Sequence, residues 1–253
     1  MEPINRFNKK SLLYSKFRPD YPDQLVIDLK NDNHLTSQSY IADIGSGTGI
    51  LTKKLLDSGF KVYAVEPNDE MRRTAEVDLQ HYEQFTSVNG SAEHTTLADR
   101  SVDLITVAQA FHWFDLEQFR KEAQRIIKPS GKVAVISNER IIHTAINQDI
   151  AAVYKRYCPN FIGFSNGLLG AEDIYDSFFA EDYSVMSYEN PLIFNKEQFI
   201  GRHLSSSFAL TVEDEFYPML VEALNALFDK YSQNGEIKVP NVARCRNGSV
   251  RND

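Results

Sequence analysis

Ile41-Ala42-Asp43-Ile44-Gly45-Ser46-Gly47-Thr48-Gly49 is the stretch that decides the fold. Four residues of apolar strand run into a glycine-rich turn, and Ile50–Asp57 follows with Leu51, Leu55 and Leu56 at the spacing of a helix face. Gly45, Gly47 and Gly49 carry no Cβ, so the turn can take positive φ and lie close to a ligand. The helix start offers unpaired N–H groups and the positive end of a dipole to something anionic. The spacing is G-x-G-x-G, one residue short of the G-x-G-x-x-G dinucleotide fingerprint.

Outward from this turn, strand and helix alternate. Gly59 is placed to end the first helix, Lys61–Glu66 reads as a second strand and Asp69–Tyr82 as a second helix. Strands are expected at Phe85–Asn89 and Val102–Ala108. Asp115 reads as the N-cap of a helix carrying Phe119, Ala123, Ile126 and Ile127. Pro129-Ser130-Gly131 reads as a turn before a strand at Lys132–Ser137. This order implies a doubly wound α/β core with a parallel sheet and right-handed crossovers.

The second half differs in character. Residues 141–210 hold twelve aromatics: Tyr154, Tyr157, Phe161, Phe164, Tyr175, Phe178, Phe179, Tyr183, Tyr188, Phe194, Phe199 and Phe208. A helix near Asn147–Tyr157, a strand near Ser184–Phe194, a helix at Glu213–Tyr231 and a last strand at Glu236–Arg246 are expected there. The division that follows is 1–137 as N-terminal cap and ligand-binding core, 138–210 as an aromatic-rich acceptor-binding lid that returns to the core, and 211–253 as closing helix, last strand and tail. The other reading of the aromatics is a second hydrophobic patch packed on the first.

Composition sets wider bounds. The chain has 253 residues, 42% hydrophobic and 25% charged, with a net charge of −8. That balance argues against general nucleic-acid binding, which needs basic surface. Cys158 and Cys245 lie far apart without metal-ligand spacing, so reduced thiols and no metal are expected. The chain starts Met-Glu-Pro-Ile-Asn-Arg without a signal-peptide pattern, and it has no apolar run of about 18 residues, so a cytoplasmic protein free of membrane is expected.

In an open parallel sheet ligands bind beyond the carboxyl ends of the strands, where strand order reverses. The glycine loop, Glu66, Gly90-Ser91-Ala92-Glu93 and Gln109-Ala110-Phe111-His112-Trp113 all follow strands in this reading. A carboxylate such as Glu66 can accept hydrogen bonds from both hydroxyls of a ribose. Its alternative role is a negative charge at the start of the next helix.

The chain resembles a class I S-adenosylmethionine-dependent methyltransferase of the type 11 group, which includes the trans-aconitate methyltransferases. The resemblance rests on Ala42–Gly49, Val65-Glu66-Pro67, Gly90–Glu93, Ala108–Asp115, Tyr14–Pro22 and Ile127–Gly131. It covers nearly residues 7–137, with fainter echoes to about residue 248. It implies a seven-stranded Rossmann-like sheet and S-adenosylmethionine as cofactor. Gly45, Gly47 and Gly49, with Ser46 in the same loop, would meet the methionine portion and ribose. Asp43 would lie near the amino end and Glu66 at the ribose hydroxyls. Met71 would pack on the adenine, with Ala92 and Glu93 at its edge. Gln109 would line the methionyl arm, and Tyr14, Phe17, Arg18 and Tyr21 would fold over the cofactor. Ser130 stands where many relatives have glycine.

His112 is the candidate base, with a positioning role equally open, and Trp113 is a wall residue. Acceptor binding is expected from His112, Trp113, Arg202 and Ser206, with His143, Arg156, His203, Arg244 and Arg246 as further cations near an anion. The leading expectation is O-methylation of a carboxylate on a small acid or peptide, by a monomer or homodimer. Methylation of a hydroxyl or amine on a natural product is the nearest alternative. A nicotinamide-dependent oxidoreductase and a non-catalytic cofactor-binding protein are the readings from other classes.

Overall fold

The computed structural model describes residues 20–164, 172–206 and 208–250. Helix α1 (Asp23–Asp32) leads into strand β1 (Tyr40–Ile44), helix α2 (Ile50–Asp57) and strand β2 (Lys61–Val65). Helix α3 (Asp69–Leu79), strand β3 (Phe85–Val88), strand β4 (Val102–Ala108) and helix α4 (Leu116–Ile126) continue the alternation. The local signals act as expected: Asn68 and Asp115 cap α3 and α4 by accepting from the backbone N–H of Met71 and Gln118. Gly59, at φ +85°, follows the end of α2.

Strand β5 (Ile127–Arg140) departs from expectation. Pro129-Ser130-Gly131 is not a turn but an irregularity within this long strand: Val102 pairs with Ile127, and Leu104 with Lys132. The extra residues bulge out of the ladder, and Gly131 passes so close to Asp103 O that a Cβ would sit 2.7 Å from it.

Helix α5 (Ala145–Tyr157), helix α6 (Glu172–Phe179), strands β6 (Tyr183–Glu189) and β7 (Leu192–Phe194), and helix α7 (Lys196–Leu204) follow. Helix α8 (Tyr217–Tyr231) and strands β8 (Ile237–Val239) and β9 (Asn241–Gly248) close the chain. The main sheet has seven strands in the order β3-β2-β1-β4-β5-β9-β6. It is not wholly parallel: β9 runs antiparallel to both β5 and β6. Strand order reverses between β1 and β4, so the binding crevice lies at the carboxyl ends of those strands.

Two apolar clusters cover the two faces of this sheet, one including Ile44, Val107, Phe119 and Phe178, the other Leu25, Ile41, Leu55 and Leu104. A third cluster unites α5, α7, α8 and the β7–β8 ribbon, with Tyr154, Phe199, Leu224 and Val239 among its members. Within residues 138–210, α6 and β6 pack into the core, while the third cluster draws on α5 before them and on α7, α8 and the ribbon after them. The aromatics divide accordingly: Tyr154 and Phe199 belong to the third cluster, Phe178 and Phe179 to the core, and Tyr188 packs on the second core cluster.

Candidate active site at the carboxyl rim of the sheet

The glycine loop is anchored by its own backbone, with Gly45 N–H donating to Val65 O (2.9 Å) and Gly49 N–H to Ser46 O (3.0 Å). All three glycines have positive φ, but their surroundings differ. A Cβ on Gly45 would lie 2.6 Å from Ala110 Cβ, and one on Gly49 2.8 Å from Leu79 Cδ1. Among the described residues, a Cβ on Gly47 would meet Met71 Sδ alone within 4 Å, at 3.9 Å. Gly45 and Gly49 thus serve close packing, whereas Gly47 is uncrowded among the described residues, with Met71 beside it.

Glu66 stands at the carboxyl end of β2 and is 7% exposed. One oxygen accepts from Gly47 N–H (2.9 Å) and the other from Asn68 N–H (2.8 Å). Burial pushes its carboxyl up, against the pull of those two N–H groups and of Arg72. An ionised carboxylate has about four lone-pair sites, so two bonds to the backbone leave acceptor capacity for a further donor pair. The buried hydroxyls of Ser46 and Thr48, on either side of Gly47, have no hydrogen-bond partner among the described residues. Buried orphaned hydroxyls are unusual in a finished core. Together with the open face of Gly47 they fit a polar nucleoside-bearing ligand at this loop.

Asp43 lies deeper. It is almost fully buried and accepts from Thr52 Oγ1 (2.6 Å) and Thr106 Oγ1 (2.9 Å). Burial pushes its carboxyl up to about 6, while the two threonines pull the other way. Met71 and Ala92 are buried, and Glu93 accepts from Asp115 N–H (3.0 Å), tying the loop after β3 to the start of α4. Tyr21 packs into the apolar cluster with Leu25, Leu51 and Leu55. Tyr14, Phe17 and Arg18 lie outside the described residues.

After β4, Gln109 takes φ +58°, a left-handed conformation uncommon for a residue with a side chain. Its N–H donates to Ile136 O and its Nε2 reaches Asn138 O (3.3 Å). His112 and Trp113 sit in a short 3-10 turn, Phe111–Trp113, with their rings 4.6 Å apart. Phe111 stacks on Tyr175 of α6 at 5.4 Å, and the Arg246 guanidinium lies over the Tyr175 ring at 3.8 Å.

The expected cations separate into two groups. Arg246, 2% exposed, donates to both oxygens of Glu172 and pairs with Glu139, and Arg244 pairs with the same two acids. Both tie α6 to the sheet through Glu172 and Glu139. Arg202 and Ser206 instead lie at the end of α7 beside Tyr154. Sequence reading passed over Arg140, Asn138 and Asn241 at the rim of β5 and β9. Arg140 donates to Asn147 Oδ1 (3.1 Å) and lies over the Phe164 ring at 4.6 Å. No local motif marks these residues, because β5 and β9 meet only through a pairing about a hundred residues apart.

Comparison with known proteins points the same way. Residues 42–135 match the family described as methyltransferase domain. The matched stretch is 94 of the 253 residues, less than half of the chain. It is similar to an uncharacterized methyltransferase of Schizosaccharomyces pombe, 38% identical over 128 residues, covering 50% of each chain. An uncharacterized methyltransferase of Mycobacterium tuberculosis is 35% identical over 127 residues, covering 50% of this chain and 49% of the relative. The chain thus spans about half the length of the curated relatives it matches.

Among solved structures, a protein of Anaeromyxobacter dehalogenans assigned to the type II methyltransferases aligns with a TM-score of 0.67 at 22% identity, covering 94% of this chain and 100% of that one. A S-adenosylmethionine-dependent methyltransferase of Geobacter sulfurreducens, solved with S-adenosyl-L-homocysteine, aligns with a TM-score of 0.54 at 14% identity over 98% of this chain and 100% of that one. At these identities the likeness shows the fold. The matched residues 42–135 span β2, β3 and β4 and parts of β1 and β5. Among the described residues no helix is long and apolar enough to cross a membrane.

Proposed function

We propose that the protein is a S-adenosylmethionine-dependent methyltransferase that methylates a carboxylate oxygen of a small acid or peptide. When bound, S-adenosylmethionine supplies an activated methyl group on a sulfonium. The observation that carries the reading is the buried Glu66 carboxylate, held by Gly47 and Asn68 at the open face of the glycine loop with acceptor capacity to spare. Glu66 would take the ribose hydroxyls, Met71 the adenine face, and Gly47 the close approach of backbone. Asp43, locked by Thr52 and Thr106, holds the carboxyl end of β1 in place beneath the loop.

Because the methyl is already activated, the protein's remaining task is to hold the acceptor in line and exclude water. A carboxylate acceptor is ionised at neutral pH and needs no base. The aromatic unit supplies water exclusion, and Arg202 with Ser206 supplies donors for an acid. The second reading is a hydroxyl or amine acceptor. His112, placed in the turn after β4, favours it, since such an acceptor must lose a proton. The two free, buried cysteines suit the reducing cytoplasm, which we propose as its compartment.

The test is calorimetry with S-adenosylhomocysteine on Glu66→Ala. Loss of about 1.5–3 kcal/mol of binding is expected, the range for hydrogen bonds to a charged group. Unchanged affinity removes Glu66 from the site, and binding of NADH in place of the nucleoside overturns the reading.

A further inference from the structure

His203 sits in the last turn of α7, is 1% exposed, and belongs to no part of the cofactor crevice described above. Its Nδ1 lies 2.8 Å from Phe199 O, one turn back, so Nδ1 carries the proton and donates. The opposite edge, Nε2, is therefore a bare lone pair turned away from its own helix. It has no hydrogen-bond partner among the described residues. The ring stacks on Tyr154 at 5.8 Å, and the Tyr154 hydroxyl donates to His203 O (3.3 Å).

Two guanidiniums, those of Arg140 and Arg202, act on this ring. Burial, then Arg140, lower His203 well below the ordinary histidine value, and Arg202 acts in the same direction. The ring is thus neutral at physiological pH and a poor base, but a good hydrogen-bond acceptor. Arg140 stands at the carboxyl end of β5, two residues beyond Asn138, whose carbonyl receives Gln109. Directly opposite Arg140 in the antiparallel ladder is Asn241, 3% exposed, with an Nδ2 that also has no partner among the described residues. Cross-strand partners share a face of the sheet. A buried bare acceptor that feels the Arg140 charge and a buried orphaned amide donor on the ladder partner of Arg140 thus occur together, which is unusual unless a ligand completes them.

We propose that Arg140, Arg202, Asn241 and His203 form the recognition subsite for the acceptor, which is a hydroxy acid: its anionic end is held by the guanidiniums and the Asn241 amide, and its hydroxyl donates to His203 Nε2. The inference rests on the methyltransferase reading and names the substrate class of that site. A planar guanidinium fork suits a carboxylate. A site built around an unpaired buried acceptor discriminates strongly against an analogue lacking the donor. Phe161, Phe164 and Phe208, packed around Tyr154, give the carbon skeleton an aromatic wall.

The experiment is calorimetry on protein saturated with S-adenosylhomocysteine, using two probe pairs: 3-hydroxyphenylacetate against phenylacetate, and 2-hydroxyoctanoate against octanoate. The hydroxylated member of at least one pair is expected to bind tenfold or more tightly. His203→Phe keeps a ring against Tyr154 and Phe199 but removes Nε2, so it should abolish that preference while leaving the affinity for the plain acid unchanged. A merely structural role would shift both members together. Arg140→Gln should weaken both members about tenfold and serves should His203→Phe fail to fold. Equal binding within both pairs, a preference that survives His203→Phe, or an Arg140→Gln variant that binds as the wild type overturns the subsite. Failure of all four acids on nucleoside-loaded protein overturns it while leaving the methyltransferase reading intact; failure of S-adenosylhomocysteine itself overturns that reading instead.

Discussion

Gly47 and Gly49 share a left-handed backbone, at φ +59° and +85°, yet they answer to different constraints. Any side chain there incurs about 1–2 kcal/mol of backbone strain. At Gly49 an added methyl also meets Leu79 within the core, whereas at Gly47, among the described residues, it meets only Met71 Sδ at ordinary contact distance. Gly49→Ala is therefore expected to lose about 2–3 kcal/mol of stability in urea unfolding, with nucleoside binding affected through that loss. Gly47→Ala should lose about 1 kcal/mol of stability but at least tenfold in affinity for S-adenosylhomocysteine. Equal losses in both assays would contradict the division. His112 sets a second contrast at this scale. With a carboxylate acceptor, His112→Gln should keep a modestly reduced rate that stays flat above pH 6. A large loss recovered at high pH would mark His112 as a base and the acceptor as a hydroxyl or amine.

Between elements, the parallel half was legible because each strand is a short apolar run bounded by glycine, proline or acidic residues. Ile50–Asp57 and Val102–Ala108 hold the bounds read from their periodicity. The second half was not, and proline explains much of the difference. Pro191 separates β6 from β7, and Pro240 separates β8 from β9, so two apparent single strands each supply one strand to the main sheet and one to the ribbon. A proline cannot donate to a ladder, which makes it the natural place for a chain to change sheets. Pro129 does the reverse, sitting in the irregular part of β5 where sequence alone reads as a turn. The site divides along the same line. Glu66 and the glycine loop are neighbours across a single strand pair and can be read locally. The cluster at Arg140, Asn241 and His203 is assembled by antiparallel pairing and helix packing between distant segments, and no spacing rule reaches it.

Across the whole molecule, two buried carboxylates give stability a pH dependence with opposite slopes. Glu122 accepts from Thr95 and from Arg125, and although burial opposes them, these bonds hold its carboxyl down to about 2. The unfolded chain therefore takes up a proton there before the folded one does. Stability from Glu122 is present above about pH 4.5 and is lost as pH falls towards 2, on the order of 3 kcal/mol. Asp43 has the opposite sign. Burial raises it to about 6, so the folded state keeps a proton that the unfolded state has released above about pH 4. Its contribution declines as pH rises from about 4 to about 6, again on the order of 3 kcal/mol. Urea unfolding at half-unit pH steps should show both limbs. Glu122→Gln should flatten the rise between pH 2 and 4.5 and lower stability at neutral pH. Asp43→Asn should flatten the fall between pH 4 and 6 and leave the acid limb in place. If Asp43→Asn instead leaves the fall between pH 4 and 6 intact, Asp43 is ionised throughout that window, and the two threonines hold its charge more firmly than its burial disfavours it.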